Sequence, residues 1–587
     1  MIRTIHVARN LRILVSTVKQ HVTEDPATMV LQTARRLPRA AREIAIRVAG
    51  GILRRDHSAA GALLRTIGGD TAGAAAAIEK AGRSGISPRR VSRLAEVATA
   101  IGEVDLAGRL LAWGPLDNSH VVIARARLSW HLGEITEAVD SLAGRTGAAA
   151  RLRRRWKSES RVFAGAVPRV PTPSTYHPVP GRTLHFVTNS LPHTGSGYAQ
   201  RTHSILVALK NAGRESVAVT RLGYPVLVGT PMAAAEDAVD GIRYLRLLPN
   251  RVERGMEGQI RQQTSMLAAA VAEYRPAVLH TTTHFVNAVS VRAVAEAFGI
   301  PWVYEVRGQL ADTWASTRPA SARLSERYRL FREREAECVR SADAVVTLGS
   351  AMRDEILAQG VAAERVVLCP NAVGEDFLET PRHAADACRA VGLDSGKRYI
   401  GTVSSIVAYE GLDDLVSAFA ILVPRHPDLR LLLAGDGVAL PALKRQAERL
   451  GVADRVVFAG RVPRNVASLY HQALEVFVVP RKDLDVTRSV TPLKPVEAAA
   501  SSRPVVASNL PALAELVRDG ETGLLVPPED PAGLAAGIER LIMDRELGQR
   551  LGAAGRDWAV RQRTWSANAQ KYGALYDRMA AAKAPPG

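Results

Sequence analysis

Short apolar runs rich in β-branched residues alternate with helical segments from Thr183 onward, and this alternation most limits what the chain can fold into. The first series of runs is TLHFVT, ESVAVT, AVLHT, WVYEV, AVVTL and RVVLCP. After a break at about 379–397 a second series follows: RYIGTV, LRLLLAGDG, RVVFAG, EVFVVP, RPVVAS and GLLVP. Such alternation is typical of a parallel sheet wound with helices. The sequence therefore predicts an α/β fold with two successive doubly wound, Rossmann-like domains.

The rest of the chain divides by composition. Residues 1–95 are rich in Ala and Arg with helical periodicity, and residues 96–165 resemble paired helices with one tetratricopeptide-like hairpin, so an all-α N-terminal extension is predicted. Residues 166–181 are Pro-rich and are expected to form a linker. The predicted remainder is an α/β domain at 182–378, an interdomain linker at 379–397, a second α/β domain at 398–564, and a C-terminal helix and tail at 565–587.

The positive charge is concentrated at the N-terminus. The net charge is +19, and residues 1–165 hold 27 Lys and Arg against 14 Asp and Glu. In TARRLPRAAREIAIRVAGGILRRD, arginines alternate with the apolar residues Leu37, Ile44, Ile46, Val48, Ile52 and Leu53. A basic amphipathic helix fits an anionic membrane surface or an ordinary solvated helix face. No aromatic residues interleave with these arginines, so a nucleic-acid partner is not expected.

The sequence shows no sign of a membrane span or an oxidising compartment. No apolar run reaches the roughly 18 residues that a spanning helix requires, and the first residues carry no small-residue cleavage site. The three cysteines, Cys338, Cys369 and Cys388, show no C-x-x-C spacing. We expect a cytoplasmic protein, with peripheral contact at the inner face of the membrane as a hypothesis.

The strand ends of the second α/β domain carry the residues of most chemical interest, because ligands of doubly wound sheets bind beyond the carboxyl ends of the strands. The candidate residues there are Gly435, Asp436, Gly437, Gly460, Arg461, Val462, Arg481, Arg488, Ser489, Thr491, Pro492, Leu493, Lys494 and Glu497. A helix is predicted to begin at about Pro492, and its free backbone N–H groups would attract a phosphate.

Lys494 and Glu497 carry the prediction of a nucleotide diphosphate at this helix. Lys494 would add a full positive charge beside the phosphate, and Glu497, about one turn later, would accept hydrogen bonds from vicinal hydroxyls such as those of a ribose. The alternative is an ordinary surface pair at i, i+3 spacing.

Several segments resemble glycosyltransferase family 4, whose members are retaining sugar-nucleotide enzymes with the GT-B fold. The similar segments are VVLCPNAVGEDF, the stretch from GDGVALPALKRQ to VFVVPR, and the stretch from TPLKPVEAAASS to IERLI, and the resemblance covers roughly 183–580. It implies that Glu497 holds the donor ribose, that Arg461 and its neighbours line the base site, and that the Lys494 helix start holds the diphosphate. It also places Gly195 and Gly197 of TGSGYAQRT beside the sugar and the acceptor.

The chain departs from the family pattern at two places. Many relatives have a sugar-contacting Glu eight residues before the one at 497, where this chain has Ser489. They also have an Arg and a Lys after the first strand of the second domain, where this chain has Ser404, Ser405 and Glu410. Arg481, Arg488 and Lys494 are expected to supply the missing charge from another direction, as in a subgroup with YEGLD and VTPLKP segments.

Three residues of the first α/β domain are further candidates. His280 and His284 follow a strand that would face the cleft, so either would contact the sugar or the acceptor, or fill a structural role. Arg307 stands where relatives often have a His near the reacting carbon, and the alternative is an ion pair with Glu305.

Two motifs suggest other chemistry only weakly. Asp483 and Asp485 imitate a D-x-D metal motif, but nearby basic side chains already neutralise charge, so no metal site is expected. The G-x-G at Gly195 and Gly197 is followed by Gln200 where a third glycine would stand, and the next strand lacks a terminal acid, so a dinucleotide cofactor is not expected.

The sequence thus predicts an enzyme of polysaccharide biosynthesis that moves a sugar from a UDP- or GDP-type nucleotide sugar to a glycan or lipid-linked acceptor. Retention of configuration and independence from metal are expected. The alternatives are a non-catalytic scaffold built on a degenerate transferase domain and a sugar-nucleotide epimerase of the same fold.

Overall fold

The computed structural model of the protein describes residues 6–36, 46, 58–82 and 87–583. The first α/β domain is built on an eight-stranded sheet. Its strands are β1 (Val179–Val187), β2 (Ser216–Thr220), β3 (Glu236–Val239), β4 (Ile242–Arg246), β5 (Pro276–Thr282), β6 (Trp302–Val306), β7 (Ala344–Thr347) and β8 (Val366–Leu368). The strand order is β3-β4-β2-β1-β5-β6-β7-β8, and only the β3–β4 pair is antiparallel. The strands β1 and β5 are parallel neighbours, and the order in which the chain adds strands to the sheet reverses between them.

The second α/β domain has a six-stranded, all-parallel sheet. Its strands are β9 (Arg398–Val403), β10 (Leu429–Ala434), β11 (Val456–Gly460), β12 (Val476–Val479), β13 (Val505–Ser508) and β14 (Gly523–Val526). They follow the order β11-β10-β9-β12-β13-β14. The switch point lies between β9 and β12, and a crevice for a ligand forms at such a point. The predicted fold class is confirmed.

Helices cover both sheets and form the N-terminal region; we number them within the described residues. The N-terminal helices are α1 (Val7–Glu24), α2 (Pro26–Arg36), α3 (Ala59–Ile67), α4 (Thr71–Gly82), α5 (Pro88–Ile101), α6 (Val104–Ala112), α7 (Ser119–Leu132), α8 (Ile135–Asp140) and α9 (Gly147–Phe163). Those of the first α/β domain are α10 (Gly197–Asn211), α11 (Gly255–Tyr274), α12 (Phe285–Phe298), α13 (Leu310–Ala315), α14 (Glu326–Ser341) and α15 (Ser350–Ala358).

The remaining helices follow the first domain in the chain. They are α16 (Ala384–Ala390), α17 (Leu412–Leu422), α18 (Leu440–Arg449), α19 (Arg464–Gln472), α20 (Asp485–Ser489), α21 (Lys494–Ala500), α22 (Pro511–Ala514), α23 (Pro531–Met543), α24 (Arg545–Gln562) and α25 (Trp565–Lys583). The helix predicted at the C-terminus is therefore present as α25. Within the described residues, no helix is both long and apolar enough to cross a bilayer.

The N-terminal helices dock on the first α/β domain. Trp130 of α7 stacks on Trp156 of α9 with ring centroids 4.6 Å apart, and Phe163 at the end of α9 packs against Phe285 in the core of the first domain. Arg327 of α14 pairs with Glu159 at 3.0 Å. The basic stretch 33–56, which supplied the amphipathic prediction, lies outside the described residues from 37 onward, except for residue 46.

The last helix returns to the first domain. Tyr572 and Tyr576 of α25 are buried there, and the hydroxyl of Tyr576 lies 2.7 Å from Nδ1 of His280 on β5. Asp577 pairs with Arg214 at 2.6 Å. A chain segment that follows the second domain is thus part of the core of the first.

Two segments expected to be linkers contain regular structure. Strand β1 begins at Val179, inside the Pro-rich segment 166–181, and Val179 pairs with Pro276 of β5. The segment 379–397 contains α16, whose Ala387 and Cys388 are buried in the core of the second domain. Their apolar side chains explain why this part of the segment packs instead of remaining extended.

Candidate functional site

Two cations share one buried carboxylate at the switch point of the second sheet. Glu410 ends a short 3₁₀ turn, Ala408–Glu410, in the loop after β9, and Arg481 follows β12. Nζ of Lys494 lies 2.6 Å from Oε2 of Glu410, and Nη2 of Arg481 lies 3.2 Å from Oε1. Lys494 also donates to Oγ of Ser404 at 2.7 Å. We call Glu410, Arg481 and Lys494 the charge triad.

The charge triad carries one net positive charge. Burial alone would raise the pKa of Glu410, but Lys494 and Arg481 outweigh burial and lower that pKa to about 2. Burial lowers the pKa of Lys494, and Glu410 opposes that shift. A fixed carboxylate between two cations orients both of them and leaves a surplus charge suited to an anion.

Glu497 lies one turn after Lys494 on α21. Its side chain keeps 21% exposure, and its Oε2 lies 3.6 Å from Nε2 of the buried His471. Burial raises the pKa of Glu497 to about 7, while Arg464 acts to lower it. Burial, and then Lys494, lowers the pKa of His471 to about 3. The site therefore holds a carboxyl group with a pKa of about 7 beside a neutral imidazole.

His471 is a residue that sequence reasoning missed. It lies on α19 and stacks on Phe477 with ring centroids 4.9 Å apart. Its Nδ1 is buried and has no hydrogen-bond partner among the described residues. A lone His within an ordinary amphipathic helix carries no local signal of a site. Only its approach to Glu497 singles it out.

The helix at this site is shorter than predicted. It begins at Lys494 instead of Pro492, Leu493 is its N-cap residue, and Pro495 occupies the first turn. Pro492 therefore precedes the helix, which has seven residues. A helix of two turns sums few peptide dipoles, so the side-chain cations, and not the helix start, would provide most of the attraction for a phosphate.

The glycine turns bring three strand-end loops close together. A Cβ atom on Gly435 would collide with the carbonyl oxygen of Ser404, and one on Gly437 with that of Ile406. Ile406 N donates to the carbonyl oxygen of Asp436 at 3.0 Å, and Gly435 N donates to that of Gly460 at 2.8 Å. These glycines therefore have a structural role in packing the loops beneath the site, and their predicted contact with a donor stays a prediction.

The Gly-containing loop of the first domain faces the second domain across the cleft. Nη2 of Arg461 lies 3.7 Å from the position that a Cβ atom on Gly195 would occupy. Arg464 donates to Oε1 of Gln200 at 2.7 Å. Gly197 begins α10. The structure thus brings Gly195 and Arg461 together, while Val462 follows Arg461 as a half-buried residue.

Both carboxylates of the D-x-D segment are paired with arginines. Arg488 donates to Asp483 at 2.7 Å, and Arg323 of the first domain lies 2.5 Å from Asp485. Arg488 is therefore exposed and engaged with Asp483, and its predicted contact with a donor stays a prediction. Within the described ranges, no group of three His, Cys, Asp or Glu side chains could hold a metal ion.

The loop before α21 docks on the first domain. Ser489 donates to Glu355 of α15, and the carbonyl oxygen of Thr491 accepts from Asn371 at 2.9 Å. Val490 packs against the core of the first domain. Ser489 and Thr491 thus join the two domains, a relationship that no local sequence pattern indicates.

Arg307 forms the predicted alternative, an ion pair with Glu305 at 2.7 Å. Glu305 is fully buried and also contacts Arg201 at 2.8 Å and His280 at 3.0 Å. Burial alone would raise the pKa of Glu305, but Arg307 and Arg201 hold it well below its usual range. Arg307 donates to Thr202 at 2.7 Å as well. Arg307 and His280 therefore belong to a buried network of the first domain.

His284 is surrounded by aromatic residues. It is the N-cap of α12, where Nδ1 accepts from Val286 N at 3.2 Å, and its ring lies beside Phe285 and Phe331. Burial, and then Arg327, lowers its pKa to about 4. The structure does not bring His284 to the charge triad, and its contact with a ligand stays a prediction.

Both α/β domains match family models of known proteins. A family described as "Glycosyl transferase 4-like domain" matches residues 196–372, and one described as "Glycosyl transferases group 1" matches 386–558. A Mycobacterium tuberculosis GDP-mannose-dependent alpha-(1-6)-phosphatidylinositol monomannoside mannosyltransferase is 30% identical over 214 residues, which is 36% of this chain and 55% of that protein. The Streptomyces kanamyceticus alpha-D-kanosaminyltransferase is 28% identical over 263 residues, covering 44% and 65%. The chain thus spans less than two thirds of the length of these relatives.

Two solved structures share the fold. The sucrose-phosphate synthase from Thermosynechococcus elongatus superposes with a TM-score of 0.57 at 23% identity, over 68% of this chain and 100% of that one. The Anabaena protein HepE, crystallised with UDP and glucose, gives a TM-score of 0.53 at 16% identity, over 68% and 99%. Each match covers about two thirds of this chain.

Proposed function

Because the chain belongs to glycosyltransferase family 4, with the GT-B fold, we propose that it transfers a sugar from a nucleotide-diphosphate donor to an acceptor. The donor is of the UDP or GDP type, and the acceptor is a glycan or a lipid-linked molecule. The observation that carries the proposal is the charge triad at the switch point of the second sheet, with Glu497 one turn beyond Lys494.

The donor binds between the charge triad and Glu497. Lys494 and Arg481 hold the diphosphate, because together with Glu410 they leave one surplus positive charge in a partly buried place. Glu497 accepts hydrogen bonds from the ribose hydroxyls, and Arg461 lines the base site. Gly195 approaches Arg461 from the first domain, so the sugar lies in the cleft between the domains.

Transfer proceeds by departure of the nucleotide diphosphate. Negative charge develops on the leaving phosphate, and cations that are already oriented stabilise it without reorganisation. The sugar carbon acquires oxocarbenium character, as in glycoside cleavage generally. By resemblance to the family we propose retention of configuration without a dedicated protein nucleophile. The cations of the charge triad take the role that a metal would otherwise have.

A lipid-linked acceptor fits the charge distribution. Residues 1–165 carry an excess of 13 basic over acidic residues, and anionic lipids attract such a region. One relative is named for its action on phosphatidylinositol monomannoside. We place the protein in the cytoplasm, at the inner face of the membrane.

Ligand-dependent thermal unfolding tests the donor site, because a ligand that binds only the folded protein raises its melting temperature. UDP, GDP and their hexose derivatives are compared on the wild type, on Lys494→Ala, and on the matched control Lys397→Ala at the amino end of β9. We expect one nucleotide series to stabilise the wild type and the control but not Lys494→Ala. Equal shifts in all three proteins would place the nucleotide elsewhere.

An assay with acceptor separates transfer from other reactions of the same fold. Nucleotide release that depends on added lipid or glycan acceptor identifies a transferase. An altered sugar nucleotide without release identifies an epimerase, and binding without any turnover identifies a scaffold.

A further inference from the structure

Helix α1 is fixed to the first α/β domain by one face. The buried Asn10 donates through Nδ2 to the carbonyl oxygens of Pro231 and Ala233, at 2.9 and 2.8 Å. Ile13 is fully buried in a small cluster with Val226 and its neighbours. These contacts set the rotation of the helix about its axis, so its exposed side is fixed in direction as well.

The exposed side of the helix presents a row of apolar side chains. Val7, Leu11, Val15 and Val18 have exposed fractions of 38% to 63%. Their spacing of four, four and three residues places them in one stripe along the helix. Met232, which stands between the two residues that accept from Asn10, is 57% exposed. Single exposed apolar residues are ordinary, but a row of four on one helix is typical of an interaction surface.

Basic side chains border this stripe. Arg12 and Lys19 are exposed, and they lie three residues before and four residues after Val15, so both are its neighbours on the helix surface. The sequence of α1 contains no acidic residue before Glu24. An apolar stripe with a basic edge is the pattern of a helix that lies in the interface of an anionic bilayer.

We propose that α1 seats the protein on an anionic membrane, with Val7, Leu11, Val15 and Val18 inserted between the lipids and with Arg12 and Lys19 at the phosphate headgroups. This inference rests on the proposed use of a lipid-linked acceptor. The charge of residues 1–165 favours lipid over a second copy of the chain, because pairing two such regions would bring like charges together.

Vesicle flotation of the full-length protein tests the proposal. The vesicles are phosphatidylcholine with and without phosphatidylglycerol. The variants are Leu11→Ser/Val15→Ser, Arg12→Gln/Lys19→Gln, and the control Val438→Ser/Met543→Ser, which removes two exposed apolar side chains from the second domain. We expect the wild type and the control to float with the anionic vesicles. Each α1 variant should partition about tenfold more weakly, because it loses either apolar insertion or headgroup attraction.

Two results would overturn the proposal. One is equal flotation of the wild type and the Leu11→Ser/Val15→Ser variant. The other is a wild-type dimer, seen by light scattering without vesicles, that this variant converts to a monomer, which would assign the stripe to a second copy. The nucleotide-dependent thermal shift is measured on the same proteins. A thermal shift in every variant shows that each variant is folded. If no protein shows a thermal shift but the wild type still floats with the anionic vesicles, only the proposed transferase function is rejected.

Discussion

Nζ of Lys494 lies 2.6 Å from Oε2 of Glu410, so the lysine at the start of α21 is held by a carboxylate from the loop after β9. The same carboxylate contacts Arg481 from the loop after β12. Three loops that meet at the switch point of the sheet are thereby joined by charge. Because one carboxylate holds two cations, the three side chains together keep one surplus positive charge.

Replacing Glu410 by Gln should destabilise the protein by roughly 3 kcal/mol, because two partly buried cations would lose their counter-ion. Urea unfolding measures the loss, and Glu521→Gln, at an exposed position, should change stability by less than about 0.5 kcal/mol. A diphosphate would replace the missing negative charge. We therefore expect UDP or GDP to stabilise Glu410→Gln more than the wild type, and an equal effect on both would contradict a phosphate site at the triad.

The depressed pKa of Glu410 predicts acid sensitivity at low pH. Its pKa is about 2 in the folded protein against an ordinary value of 4.5, so its contribution to stability is complete above about pH 4.5 and is lost as the pH falls towards 2. Unfolding free energies measured from pH 6 to pH 2 should show a steeper decline for the wild type than for Glu410→Gln.

The raised pKa of Glu497 predicts that stability falls as the pH rises, which is opposite to the effect of Glu410. Its pKa is about 7 in the folded protein against 4.5, so the protonated form favours folding and that advantage disappears as the pH rises from about 4.5 through 7. Glu497→Gln should remove this decline, and at pH 8 its free energy of unfolding should exceed that of the wild type by on the order of 2 kcal/mol. Melting temperatures between pH 5 and 8, with exposed Glu364→Gln as control, measure the difference. The same variant should weaken donor binding, since an amide accepts fewer hydrogen bonds from a ribose.

Arg307→Lys tests whether Arg307 is structural. The variant keeps a charge near Glu305 but loses the planar donors that reach Glu305 and Thr202 together. We expect a loss of about 1–2 kcal/mol in unfolding free energy and no change in donor affinity. A marked loss of donor affinity with unchanged stability would instead support contact with the substrate.

Glu515 of the second domain caps a helix of the first. Its carboxylate accepts from the backbone N–H groups of Ser350 and Ala351, at 2.7 and 2.8 Å, at the start of α15. Glu515→Gln should lower the free energy of unfolding by about 1 kcal/mol, because a charged acceptor at a helix start is lost. It should also speed the hydrogen exchange of backbone amides along α15. Glu448→Gln, at an exposed position on α18, serves as the control, and unchanged exchange in Glu515→Gln would show that the interdomain cap is dispensable.

The sequence alone predicted all six strands of the second sheet and six of the eight strands of the first, because the alternation of β-branched runs with helical periods is a local property of the chain. It missed β3 and β4, which form the antiparallel pair at the edge of the first sheet. It also placed Lys494 and Glu497 one turn apart, since that spacing follows from the geometry of any helix. The start of that helix was misplaced by two residues because Pro492 and Pro495 each suit a first turn, and the local pattern does not distinguish them.

Only the tertiary structure decided which charges meet. In the sequence, Glu410 stands where the family resemblance predicts a basic residue. In the fold, its carboxylate pairs with Lys494 and Arg481. In the same way His471 approaches Glu497, and Ser489 reaches Glu355 in the other domain. These contacts join residues far apart in the chain, so their distances depend on how strands and domains pack. No periodicity or local spacing records that packing, whereas the elements themselves arise from periodicity and spacing.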